Sequence, residues 1–335
     1  MMDISRHLTS DGRRIYSIPV QSFPELVSIV YVISDGTKLI LVDSGSGRQE
    51  SNEQLLAGIT RISEQFGESV TLAGIDEIWI THGHIDHFGG LPFVRQFNQA
   101  PIGVHVLDRR VISNHEERRV VASRWLDEFL EGAGIAEEQR QNLMQMYLYS
   151  KNFYHSTPTQ FLIEEGEPLY GGVIPYHTPG HCPGQVCLMI DDVMLTADHV
   201  LSRITPHQAP EIITRNMGLG HYLDALDKIK KVPGIRLGLG NHEAPMPDVY
   251  SRIDEIKAAH DVRLNRVMEI CAEPRTTAEV SKMLFGAVSS YHVLLALEEA
   301  GAHVEYLYQR GELIAVNLEE IERTPHPVIR YIAAH

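Results

Sequence analysis

A run of ten residues, THGHIDHFGG at positions 81–90, holds three histidines and one aspartate. It directly follows a short apolar run, which predicts a buried strand that ends in a ligand-rich loop. Neutral imidazole and carboxylate are side chains that zinc accepts as ligands. Because a tight loop can point alternate residues at one spot, His82 and His84 can share one metal ion. Asp86 and His87 are offset from them and can serve a second ion close by.

The chain supplies further ligands in the same kind of place. His181 lies in a Pro/Gly loop after an apolar strand, Asp198 ends another strand, and His242 follows a third. We therefore expect seven ligands to meet where strands end, with Asp198 between two ions. The predicted groups are His82, His84 and His181 for one ion, and Asp86, His87 and His242 for the other. Two ions about 3.5–4 Å apart can hold a bridging hydroxide and polarise a carbonyl or phosphoryl oxygen.

The first part of the chain indicates a layered α/β domain, because its predicted elements alternate strand, helix, strand, helix. Residues 108–160 differ from the segments around them. They are rich in Arg, Glu and Gln and carry apolar residues at helical spacing, so two helices are predicted to be inserted there. Strands resume from Phe161. Residues 1–247 are thus expected to form one catalytic domain with a helical insertion.

Residues 248–335 are expected to form a second, smaller domain. Three helices are predicted, and the third is expected to stop at Gly301. Two short strands at 303–308 and 313–317 should follow, and three helices followed by a hairpin is the order of a winged helix. The predicted third helix contains no Lys or Arg between residues 289 and 299, which argues against contacts with nucleic-acid phosphates.

The charge and composition limit the partners. The formal net charge is −15, from 44 acidic and 29 basic residues. A polyanion would be repelled by this charge unless a local basic patch overrode it, so a small-molecule substrate is favoured and nucleic acid is not expected. Three cysteines in a chain of 335 residues imply no disulfide framework. Since no secretory signal or membrane-length apolar run is present, we expect a cytoplasmic protein without a membrane partner.

The motif THGHIDH resembles the signature of the metallo-β-lactamase superfamily, and most closely its glyoxalase II-like, two-metal branch. The resemblance continues in order through His181, Asp198 and His242, and covers about residues 15–247. It implies an αββα sandwich, a two-metal site and hydrolysis. It also implies that Asp43, which follows an apolar strand, braces the histidine loop. An ordinary turn aspartate is the alternative for this residue.

The chain departs from the family pattern in two places. Cys182 stands where the family usually has Thr or Ser, and Asn241 and Glu243 flank His242 where glycine is usual. Neither departure removes a ligand. The C-terminal domain resembles a module that many hydrolases of this superfamily carry, and a structural, oligomeric or pocket-closing role is expected for it.

These observations predict a metal-dependent hydrolase that acts on a small ester, thioester or lactone with two zinc ions. A metal-bridging hydroxide would attack the carbonyl, and the ion held by the first group would stabilise the oxyanion. Asp86 and His199 are the catalytic candidates, Asp86 to aim the hydroxide and His199 to contact the substrate. His207 and His221 are more often surface or core histidines. The ligands also suit iron or manganese, and a homodimer is expected.

Three alternatives remain open. A nuclease or phosphodiesterase could use the same site, although the acidic balance and the predicted third helix argue against it. A one-iron persulfide dioxygenase would use ligands of the type of His82, His84 and His181, whereas the complete set of seven favours two metals. A binding or regulatory protein would rest on the winged-helix order alone.

Overall fold

The computed structural model describes residues 3–334, which divide into two compact units. The first, here called the sheet unit, comprises residues 3–115, 154–206 and 225–253. The second, the helical unit, comprises residues 116–153, 207–224 and 254–334. Most of the predicted insertion, residues 116–153, therefore belongs to the same compact unit as residues 254–334. The predicted domain boundary at residue 247 stays a prediction. Within residues 3–334, no helix is both long and apolar enough to cross a bilayer.

The sheet unit is built around a seven-stranded sheet in which neighbouring strands follow chain order. Pairs from β1 to β4 are antiparallel, and pairs from β4 to β7 are parallel. The parallel strands carry their carboxyl ends to one edge, where the loops that follow them can meet. The strands are β1 (Ser5–Leu8), β2 (Arg14–Phe23), β3 (Leu26–Ser34), β4 (Leu39–Val42), β5 (Glu77–Ile80), β6 (Ile102–Val104) and β7 (Phe161–Leu162).

A second sheet of four strands has the order β11-β10-β9-β8. Only β10 and β11 pair in parallel, so their carboxyl ends also lie side by side. The strands are β8 (Ile174–His177), β9 (Val186–Ile190), β10 (Val193–Ala197) and β11 (Leu237–Gly240).

Successive side chains on a strand point to opposite faces of a sheet. In the seven-stranded sheet, the side chains on both faces are buried. Tyr16 and Ile18 belong to an apolar cluster that includes residues of the helix at Gln49–Phe66. Ile15 and Tyr31 belong to a cluster formed with residues of the second sheet. The sheets therefore stack face to face with helices outside them, and the predicted α/β class and sandwich are confirmed.

Helices connect the strands and make up most of the helical unit. The inserted segment contains three helices where two were predicted, because a separate helix at Val106–Ser113 precedes the helices at His115–Gly132 and Glu137–Lys151. The helices are α1 (Gln49–Phe66), α2 (Ile85–Phe88), α3 (Leu91–Val94), α4 (Val106–Ser113), α5 (His115–Gly132), α6 (Glu137–Lys151), α7 (Leu219–Lys230), α8 (Val249–Ile270), α9 (Thr277–Phe285), α10 (His292–Gln309) and α11 (Leu318–Arg323).

Two predictions for the C-terminal region are wrong. The third helix does not stop at Gly301 but continues as α10 to Gln309, so no strand forms at 303–308. Gly301 lies inside this helix, and close packing explains why the residue is glycine. A Cβ there would come within 2.7 Å of the Phe129 ring. The two strands that form are β12 (Leu313–Ala315) and β13 (Tyr331–Ala333), which pair in antiparallel. The winged-helix assignment stays a prediction.

A candidate metal centre

The seven predicted ligands lie on the loops that follow strands of the sheet unit. His82 and His84 come directly after β5, and the short helix α2 that follows carries Asp86 and His87. The other three follow β8, β10 and β11 in turn, and they are His181, Asp198 and His242. The chain thus brings all seven predicted residues together from four segments, those that follow β5, β8, β10 and β11. We call these seven residues the metal centre.

The first group consists of His82, His84, His181 and Asp198, whose ligand atoms all lie within 4.8 Å of one another. His82 Nε2 is 3.1 Å from His84 Nδ1, and His181 Nε2 is 3.6 Å from Asp198 Oδ2. Two nitrogens that share a tetrahedral zinc ion lie about 3.3 Å apart. The spacing of this group therefore fits a single ion.

The second group consists of Asp86, His87 and His242, again with ligand atoms within 4.8 Å. Asp198 Oδ2 lies 2.9 Å from His242 Nε2 and 3.5 Å from His87 Nε2. The same oxygen is 3.8 Å from His82 Nε2 in the first group. Asp198 therefore lies between the groups, as a carboxylate shared by two ions would.

The electrostatics of the metal centre favour cations. Burial, followed by the neighbouring imidazoles, lowers the pKa of His82 and His84 well below the usual value, so both stay neutral and keep a lone pair for a metal. Burial also lowers the pKa of His242, but the Asp198 carboxylate outweighs it and raises that pKa to about 9. Among residues 3–334, the buried atoms His87 Nε2 and Asp198 Oδ1 have no hydrogen-bond partner. Divalent ions at these atoms would satisfy them, so the residues present fit a metal site.

Asp43 contacts the histidine loop at Thr81 and at His87. It lies at the end of β4 with a φ of 63°, a left-handed conformation that aspartate tolerates better than most residues. Its carboxylate accepts hydrogen bonds from the backbone N–H of Thr81 at 2.8 Å and from Nδ2 of Asn241 at 2.7 Å. Oδ2 also lies 2.9 Å from His87 Nδ1. A hydrogen bond there turns the other imidazole nitrogen of His87, Nε2, towards the metal centre.

The two unusual neighbours of His242 have structural partners of their own. Asn241 donates to Asp43 and also to the carbonyl of Ile29 at 3.0 Å. Glu243 accepts from the backbone N–H groups of Arg203 and Ile204 at 2.6 and 3.2 Å, and so it anchors the segment that follows Asp198. His242 Nδ1 lies 2.8 Å from the carbonyl of Val27, which leaves Nε2 to face the metal centre.

The other histidines considered from sequence stand apart from the two ligand groups. His199 is completely buried next to Asp198, and burial lowers its pKa to about 3, so the imidazole is neutral. It belongs to neither group, and its contact with substrate stays a prediction. His207 and His221 lie in the helical unit, where His207 Nε2 is 3.0 Å from Glu298 and His221 Nε2 is 3.4 Å from Glu211.

Sequence reasoning missed two residues that contact the metal centre or its loops. Ser28 donates from Oγ to Asp86 Oδ2 at 3.1 Å. Asp108 accepts from the backbone N–H groups of Gly83 and Gly184, which belong to two different ligand loops. One signal was available for Asp108, because it is an acid in the first turn of a helix that directly follows a strand.

Comparisons with known proteins identify the family. Residues 24–237 match the metallo-β-lactamase superfamily, and residues 264–323 match the metallo-β-lactamase-like C-terminal domain. The atrochrysone carboxyl ACP thioesterase of Aspergillus fumigatus is 25% identical over 231 residues, which are 67% of this chain and 53% of the thioesterase. This chain thus spans about half the length of that relative. The probable metallo-hydrolase YqjP of Bacillus subtilis is 23% identical over 296 residues, 83% of this chain and 87% of that protein.

Solved structures share the fold. A metallo-β-lactamase family protein from Thermus thermophilus superposes with a TM-score of 0.77 at 23% identity, over 96% of this chain and 98% of that one. A β-lactamase domain protein from Burkholderia ambifaria gives a TM-score of 0.75 at 20% identity, over 98% and 94% of the two chains. The family match covers well over half of the sequence, and the predictions of fold and family are confirmed. The chain belongs to the metallo-β-lactamase superfamily.

Proposed function

We propose that this chain is a two-metal hydrolase of a small ester, thioester or lactone, with zinc as the metal. The observation that carries the proposal is the pair of ligand groups that share Asp198. A thioester is the first substrate class to test, because one relative is named as a thioesterase. The second relative is named as a probable metallo-hydrolase, which fits the same class of reaction.

The residues divide the work as follows. His82, His84 and His181 would hold one ion, Asp86, His87 and His242 the other, and Asp198 both. Divalent ions in these positions supply Lewis acidity towards a carbonyl oxygen and make water acidic enough to lose a proton near neutral pH.

Asp86 is suited to orient the attacking water. Burial raises the pKa of Asp86, but the imidazoles of His87 and His242 outweigh this effect and lower it. The carboxylate is therefore ionised at neutral pH and can accept a hydrogen bond from water. Ser28 donates to its Oδ2 and fixes the direction in which the carboxylate points. Asp86→Ala is expected to abolish activity while the fold is retained.

Elemental analysis of protein purified without added metal or chelator tests the proposal first. Near two zinc ions per chain would support it and lead to a panel of esters, thioesters and lactones, with a simple phosphodiester for comparison. One iron per chain, with oxygen uptake on a persulfide, would replace it with a dioxygenase. No bound metal after reconstitution would contradict it, as would turnover of the phosphodiester alone.

A matched pair of variants gives the control. His181→Ala should lose metal and activity, because it removes a ligand of the first group. His221→Ala should keep both, because that side chain is about 40% exposed and lies in the helical unit. Full turnover by His181→Ala would contradict the proposed mechanism.

A further inference from the structure

We infer that Asp108 is a positioning residue that sets the affinity of the first metal group by tying together its two ligand loops. The inference rests on the proposed metal centre. It assigns a role to a buried carboxylate that lies outside both ligand groups. Asp108 is fully buried and sits in the first turn of α4, directly after β6.

Each oxygen of the Asp108 carboxylate holds one loop. Oδ2 accepts from the backbone N–H of Gly83 at 2.7 Å, and Gly83 lies between the ligands His82 and His84. Oδ1 accepts from the backbone N–H of Gly184 at 2.9 Å, three residues after the ligand His181. One side chain therefore joins segments that lie about a hundred residues apart in sequence.

The space that Asp108 occupies helps to explain the two glycines. A Cβ on Gly184 would lie 2.7 Å from Asp108 Cγ and 2.8 Å from its backbone nitrogen. A Cβ on Gly83 would lie 3.2 Å from the same Cγ. Neither glycine has a positive φ, so close approach is what favours glycine at both positions. At Gly184 all the close atoms belong to Asp108, whereas at Gly83 the Val111 side chain is equally close, at 3.2 Å. Both loops thus pass close to this one side chain.

Asp43 supports both groups, through Thr81 next to His82 and through His87, whereas Asp108 contacts only loops that carry ligands of the first group. In the second group, His87 lies against Asp43 and His242 against the carbonyl of Val27. The loops that carry the first group are joined to each other through Asp108. Losing Asp108 should therefore loosen the first group and leave the second intact. Residues that orient metal ligands typically change metal affinity by about 10- to 100-fold when they are mutated.

The experiment measures zinc affinity at each group separately, by competition with a chromogenic chelator. His242→Ala leaves only the first group complete, and His181→Ala leaves only the second. Asp108→Asn is added to each background, since the amide keeps the shape but places a donor against one of the two backbone N–H groups. We expect a loss of about 10- to 100-fold in the His242→Ala background and no change in the His181→Ala background.

A matched control uses Glu305 in the helical unit. Its carboxylate also accepts from two backbone N–H groups, those of Glu211 and Ile212, at 2.6 and 3.1 Å. Glu305→Gln makes the same acid-to-amide change and should leave zinc affinity unaltered in both backgrounds. An equal loss in both backgrounds, or no loss in the His242→Ala background, would overturn the role of Asp108. If the wild-type chain binds no zinc, the proposed function itself fails, and this outcome is distinct.

A second variant guards against misfolding of Asp108→Asn. Gly184→Ala leaves the carboxylate in place but pushes a methyl group into it. We expect the same selective loss of zinc affinity in the His242→Ala background, with circular dichroism unchanged. Unchanged affinity in a folded Gly184→Ala protein would also overturn the inference.

Discussion

Among residues 3–334, histidines and carboxylates form two buried clusters, one in each unit. The metal centre lies at strand ends in the sheet unit, whereas His260, Glu299 and His303 lie on α8 and α10 in the helical unit. In both clusters the candidate ligand atoms lie within 4.8 Å of one another. Residue type and proximity therefore do not distinguish them.

Charge balance does distinguish them. In the helical unit, Arg263 Nη1 lies 2.7 Å from Glu299 Oε1 and 3.4 Å from His260 Nδ1. His207 Nδ1 is a further 3.4 Å neighbour of the same carboxylate. In the metal centre, the ion pairs of Asp86 and Asp198 that the structure describes are all with histidines.

The protein therefore supplies its own permanent cation to one cluster and only imidazoles to the other. A divalent ion placed beside Glu299 would be repelled by Arg263, whereas the same ion in the metal centre meets two carboxylates and five imidazoles. We infer that the helical cluster is a packing network that balances its own charge, with Arg263 and His207 facing Glu298 and Glu299. The cluster is defined as His207, His260, Arg263, Glu298, Glu299 and His303.

The largest expected difference between the clusters is in metal content and activity. His181→Gln should lower kcat/KM by at least about 100-fold, because the ion of the first group would stabilise the oxyanion, and it should reduce the bound metal. His260→Gln makes the same change in the helical cluster and should retain both ions and full turnover. Elemental analysis and a thioester assay on the two purified variants check this. A third ion in the wild-type chain that is lost on His260→Gln would break the comparison.

A smaller effect on stability should follow when the cation of the helical cluster is removed. Arg263→Ala leaves the largely buried carboxylate of Glu299 without its closest cation, at a cost of about 3 kcal/mol in the free energy of unfolding. Arg266→Ala on the same helix is the control, since its pair with Glu269 is exposed and should contribute less than about 0.5 kcal/mol. Urea titration of the metal-loaded proteins measures both changes. Equal stabilities for the two variants would remove Arg263 from the argument.

The contrast also explains what the sequence could predict. Each candidate ligand of the metal centre follows an apolar strand, so local pattern was enough to select seven residues that the fold brings together. Their role as metal ligands stays a prediction. Among the supporting residues, Asp43 was expected from the family resemblance. The position of Asp108 in the first turn of a helix was a local signal for the residue, but no local pattern marks its contacts with Gly83 and Gly184. The ligand loops were therefore predictable, and the tie between two of them was not.

The helical unit was harder to predict for the same reason. Gly301 suggested a helix end, but the Phe129 ring against which it packs lies far away in sequence. The glycine that follows the end of α10 is Gly311, with a φ of 74°. Glu299 and His303 are four residues apart on one helix, a spacing that is common on helix faces. Their role depends on Arg263 and His207, which other segments contribute.

The smallest expected effect is a dependence of stability on pH that belongs to the helical cluster. Burial lowers the pKa of His207, but Glu298 and Glu299 outweigh it and raise that pKa to about 9. A raised pKa in the folded state contributes stability that is fully present below the unfolded value of about 6.5 and is lost as the pH rises through about 9. Because the His207 side chain is 28% exposed, solvent screening reduces the contribution to about 1 kcal/mol.

His207→Gln should therefore flatten the decline in unfolding free energy between pH 6.5 and 9 relative to wild type, with metal present throughout so that the metal centre does not titrate. Urea titrations at intervals across this range measure the decline. His221→Gln is the control, because its imidazole is more exposed and its contact with Glu211 is longer, at 3.4 Å. An identical decline of the unfolding free energy in wild type and His207→Gln would show that His207 is not protonated in the folded protein. Arg263 would then be the only cation of the helical cluster, which would sharpen the contrast with a metal centre built without a permanent cation.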